Sequence, residues 1–89
     1  MKAILIMGST SDEHHAKKIT DKLDGYGIAW EQHAASAHKE PLKVLEILNT
    51  NKDKKDIVYI TIAGRSNALS GFVAANSSFP TLGCPPFSD

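Results

Sequence analysis

The chain has 89 residues, 42% of them hydrophobic and 22% charged, with 10 basic against 10 acidic side chains. That length leads us to expect one domain, residues 1–89, around one core. The balanced charge argues against nucleic acid or an anionic membrane as partner. A lone cysteine, Cys84, excludes an intramolecular disulfide framework and suits a reducing compartment, so a cytoplasmic location is expected. No apolar run approaches the ~20 residues that a membrane-spanning helix needs, and the N-terminus reads as a strand rather than a secretory leader.

Lys2 to Met7 is nearly all apolar, the pattern of a strand covered on both faces. Ser11 or Asp12 then offers a helix N-cap, and Ala16, Ile19 and Leu23 follow at helical spacing until Gly25 and Gly27 stop the helix. Ile28 to Ala35 reads as a second strand. Pro41 fits the first turn of a second helix whose apolar face is Val44, Leu45 and Leu48. The mixed charges of Lys52 to Asp56 suit a solvated loop. Ile57 to Ala63 is β-branched and aromatic, a strong strand signal. Gly64 breaks it, and Ser66 or Asn67 can cap a third helix bearing Leu69, Phe72 and Val73. Pro80 to Cys84 reads as a short fourth strand, ended by Pro85 and Pro86.

Strands alternating with helices predict an α/β fold: a parallel sheet with right-handed crossovers and helices on both faces. A strand order of 2-1-3-4 is the flavodoxin-like arrangement, a three-layer sandwich. Such a sheet normally continues past its fourth strand, so this one reads as truncated there. Self-association is expected through the open edge, with Phe72, Val73 and Leu82 near the uncovered side.

Three polar loops follow the first three strands, and loops at the carboxyl ends of parallel strands share one edge of the sheet, where ligands bind. Gly8-Ser9-Thr10-Ser11-Asp12 sets hydroxyls at a helix N-terminus, which favours an anion such as phosphate. Asp12 would repel phosphate and is better matched to ribose hydroxyls or an amine. Ser36-Ala37-His38-Lys39 adds an imidazole suited to proton transfer and an ammonium suited to an anion. Ala63-Gly64-Arg65-Ser66-Asn67 adds close backbone approach at Gly64 and a guanidinium, Arg65, for an anion or for Asp12. Each loop alone could be plain helix capping or a solvated turn; three at one edge point to a phosphorylated small molecule with acid–base chemistry beside it. His14, His15 and His33 are expected away from that edge. No metal site is expected. The nucleophile elbow, the phosphate loop and the dinucleotide fingerprint are absent. A receiver domain would need an acceptor Asp where Ala63 and Gly64 stand.

These motifs, with Leu69 and Cys84-Pro85-Pro86, resemble over essentially the whole chain the AIR carboxylase and carboxyaminoimidazole ribonucleotide mutase family of purine biosynthesis. The resemblance implies a flavodoxin-like fold, a homo-oligomer (in the family an octamer around a fourfold centre), and aminoimidazole ribonucleotide with carbon dioxide as substrates. It implies no nucleotide cofactor, biotin or metal. Carried over residue by residue, Ser9, Ser11 and Asp12 would hold the phosphoribosyl part, Ser36 and Lys39 would complete that pocket, and Gly64 and Ser66 would flank the aminoimidazole or carboxylate. Arg65 belongs to the same set. His38 matches the catalytic histidine, which moves the proton on and off the carboxylated carbon. Lys39 and the Gly64-Arg65-Ser66-Asn67 loop look like the branch that carboxylates directly with carbon dioxide; the mutase branch has a second histidine in the third loop. Family members continue beyond the Cys-Pro-Pro stretch. A non-catalytic phospho-ligand-binding module of the same fold is the alternative reading.

Overall fold

Hydrophobic patterning along the strands carries straight into the computed structural model, which describes residues 1–63 and 68–85. The strands are β1 (Lys2–Met7), β2 (Ala29–Ala34), β3 (Ile57–Ile62) and β4 (Thr81–Gly83); the helices are α1 (Glu13–Gly25), α2 (Pro41–Asn51) and α3 (Ala68–Asn76). All strand pairs are parallel and the order is β2-β1-β3-β4. This is the expected 2-1-3-4 sheet of a flavodoxin-like fold. The second and fourth strands are shorter at each end than the sequence suggested, and β3 stops one residue before Ala63.

Alternation along the strands makes two cores. Ala3, Leu5 and Met7 of β1 join Ile60 and Ile62 of β3 under Ala16 of α1. Ile4 and Ile6 join Ile57 and Tyr59 under Val44, Ile47 and Leu48 of α2 and Leu69 and Val73 of α3. A central strand buried on both faces must be apolar throughout, which is why Ala3 to Met7 is unbroken. Each fully buried Ile or Leu contributes about 1.5–3 kcal/mol.

Helix ends follow local chemistry. Gly27 takes φ +70° after α1; its N–H donates to the Asp24 carbonyl and that of Ile28 to the Leu23 carbonyl. This is a Schellman stop, which needs a left-handed residue. Pro41 occupies the first turn of α2, where its missing N–H costs nothing.

Several expectations on packing change. Leu45 is exposed and Ile47 is buried in its place, so the apolar stripe of α2 runs Val44, Ile47, Leu48. Val73 is fully buried beneath α3, Phe72 packs partly against the same core, and Leu82 alone of that trio is open, at 54% exposure. The proposed caps of α3, Ser66 and Asn67, lie outside the described residues. Among the described residues no helix is long and apolar enough to cross a membrane.

Candidate functional site

At the carboxyl edge the ladder continues one residue past β1, β2 and β4. Gly8 N–H donates to the Ile62 carbonyl, Ala35 N–H to the Met7 carbonyl and Cys84 N–H to the Thr61 carbonyl, each at 2.8 Å. The loops after β1 and β2 therefore leave neighbouring strands at one level, since Met7 pairs with Ala34.

In the first loop Ser9 is extended, at φ −154° and ψ 150°, and caps a 3-10 turn over Thr10–Asp12. Its Oγ accepts from the Ser11 N–H at 3.2 Å and shares a hydrogen bond with Ser11 Oγ at 2.9 Å. Ser9 thus caps the 3-10 turn, while Asp12, one of the two expected residues, takes the N-cap position of α1 itself. Asp12 makes no side-chain capping bond to α1, so its carboxylate is left for other donors. Gly8 has room for a methyl group: a Cβ there would lie 3.6 Å from Ala63 Cβ and from the Ile62 carbonyl oxygen, ordinary contact. The fold itself does not demand a glycine at that position.

In the second loop Ser36 Oγ accepts from the N–H groups of His38 and Lys39, both at 3.2 Å, and its carbonyl accepts from the Glu40 N–H at 2.8 Å. The Ser36 hydroxyl orders the loop as an acceptor, which leaves its O–H to donate. The side chains of His38 and Lys39 stand exposed. Gly64, Arg65 and Ser66 of the third loop lie outside the described residues; Ala63, where that loop begins, sits against Gly8.

The other histidines separate. His14 is exposed. His33 lies on β2, 2.6 Å from Glu31, whose other oxygen meets the Lys2 ammonium at 2.6 Å. The Lys2 hydrogen bond, then that from His33, holds the Glu31 carboxyl below its ordinary range. His15 departs from expectation: its Nε2 lies 3.2 Å from the carbonyl oxygen of Cys84, the residue just past β4. It therefore stands at the ligand edge. The signal was available, since His15 follows Ser11 by one helical turn and α1 begins at that edge. Ser11, Asp12, His15, Ile19, Leu23 and Tyr26 line a groove of about 760 Å³ along α1.

This geometry has close counterparts. A family model described as AIR carboxylase matches residues 2–89. A phosphoribosylaminoimidazole carboxylase of Archaeoglobus fulgidus is 56% identical over 89 residues, all of this chain and 49% of that protein. One from Treponema denticola is 46% identical, across 97% of this chain and 55% of that protein. The crystal structure of Treponema denticola PurE superposes with a TM-score of 0.95 at 45% identity, over 99% of this chain and 56% of that one. The chain spans about half the length of these relatives.

Proposed function

This chain belongs to the AIR carboxylase family, and we propose on that premise that its carboxyl edge binds aminoimidazole ribonucleotide for carboxylation by carbon dioxide. The observation that carries the reading is the pair of serine-ordered loops leaving adjacent strands, one opening a helix and the other presenting His38 and Lys39.

Ser9 and Ser11 donate to phosphate oxygens at the positive end of α1. Lys39 and Ser36 complete that pocket, and Asp12 accepts from ribose hydroxyls. Gly64 and Ser66 flank the ring or the new carboxylate, with Arg65 answering its charge. The ring carbon next to the amino-bearing one, made nucleophilic by donation from the amino nitrogen, attacks carbon dioxide with a ring electron pair. A carbon–carbon bond forms, and the carbon still bears its hydrogen. His38 takes that proton as the pair returns to the ring, restoring aromaticity and leaving an imidazolium. The reverse reaction returns the proton. An imidazole serves both directions because it titrates near neutrality. Lys39 and the Gly64-Arg65-Ser66-Asn67 loop favour direct carboxylation over the mutase reaction, and a homo-oligomer is the working assembly.

The test is a carboxylation assay with aminoimidazole ribonucleotide and bicarbonate-derived carbon dioxide, run beside a measurement of mass in solution. Turnover by an oligomer is expected. Binding without turnover would select the alternative, a non-catalytic phospho-ligand-binding module. No binding at all would remove both.

A further inference from the structure

We infer that His15 is a positioning residue, a clamp that holds the segment leaving β4 against the first loop of the site. Its hydrogen bond to Cys84 joins residues 69 apart in sequence. A carbonyl oxygen only accepts, so Nε2 must carry the hydrogen and the neutral ring has one allowed tautomer. Both main-chain groups of Cys84 are then engaged: its N–H by the Thr61 carbonyl of β3 and its carbonyl by α1.

That segment needs such a hold. β4 has three residues and pairs with β3 alone among the described strands. The Cys84 side chain packs partly against the core beneath α1, but the Leu82 side chain on the same face is open. The imidazole comes from the helix that begins with the first loop, since Ser11, Asp12 and His15 all line one groove. Movement of the β4 exit is thereby coupled to the hydroxyls at the start of α1. The coupling to a ligand rests on the function proposed above; the clamp does not.

Amide hydrogen exchange by NMR, without ligand, decides the clamp. In His15→Leu the Cys84 N–H is expected to exchange about fivefold faster, the factor of one neutral hydrogen bond, while His15→Gln, whose amide reaches similarly far, stays within about twofold of the parent. The Leu5 N–H at the centre of β1 should keep its parent rate in both. Unchanged Cys84 exchange in His15→Leu overturns the clamp. So does acceleration that spreads equally to Leu5, or that His15→Gln fails to restore. Calorimetric titration of aminoimidazole ribonucleotide then reads the coupling: weaker binding to His15→Leu than to His15→Gln supports it, and equal binding refutes it. No binding to the parent counts against the proposed function, with the clamp already decided by the exchange rates.

Discussion

In the loop after β1 the Ser9 hydroxyl accepts one backbone N–H, that of Ser11; in the loop after β2 the Ser36 hydroxyl accepts two, from His38 and Lys39. The foundations differ in the opposite sense. β1 is the buried strand between two partners, and its loop runs at once into a 13-residue helix. β2 is an edge strand with no buried residue, and its loop crosses the exposed residues His38, Lys39 and Glu40 before α2 begins at Pro41. The central loop takes its order from the sheet and helix around it. The edge loop must supply its own, and it carries the imidazole assigned to proton transfer. Order at the chemical end therefore rests on Ser36, through its hydroxyl and its carbonyl.

The sharpest way to separate the two loops is His38→Asn. Turnover should fall about 100- to 10,000-fold, the usual worth of general acid–base help, while affinity for the ribonucleotide stays near that of the parent. His14→Asn should alter neither. Steady-state rates and calorimetric affinities for both variants check this, and near-parent turnover in His38→Asn would reduce the imidazole to a loop side chain.

Removing the two serine acceptors tests the difference in foundation directly. Each lost cap-like bond costs about 1 kcal/mol. Ser36→Ala, which frees two N–H groups, should weaken ribonucleotide binding and disorder His38 more than Ser9→Ala disorders its own loop. Backbone relaxation of the two loops, measured in both variants, shows whether the ranking holds; a reversed ranking would break the comparison.

Gly8→Ala asks what the central loop keeps open. A Cβ there meets only ordinary contacts, so the melting temperature should move by no more than about 2 °C, as for a typical surface substitution. Binding of inorganic phosphate or ribonucleotide should nonetheless weaken, because the methyl occupies space that a ligand would use. A variant that binds as the parent does would place the anion elsewhere.

The smallest effect concerns the edge strand beneath the second loop. The Glu31 carboxyl titrates below its ordinary 4.5 in the folded chain. A carboxyl depressed on folding stabilises above its unfolded value, and that contribution disappears as the pH drops through the folded one. Unfolding midpoints should therefore decline below about pH 4.5, and Glu31→Gln should lessen the decline. Exposure of the pair keeps the effect small. Identical acid profiles would show that Lys2, Glu31 and His33 add nothing to the edge.

Much of this molecule can be read from local chemistry. The unbroken run from Ala3 to Met7 announces a strand covered on both faces, Gly27 marks a left-handed helix stop and Pro41 a first turn. The alternation of elements, with right-handed crossovers, leads to the order β2-β1-β3-β4 and so to the edge where the serine loops meet. These depend on neighbours within a turn or two of chain, or on the handedness common to all such sheets. Tertiary structure decided the rest. That Ile47 is buried and Leu45 is not, and that Val73 is covered and Leu82 open, depends on where each helix comes to rest on the sheet. His15 meets the Cys84 carbonyl only because α1 and the exit of β4 share an edge. A residue's own pattern states which surfaces want cover; which distant group arrives to cover or bond it is a property of the packed whole.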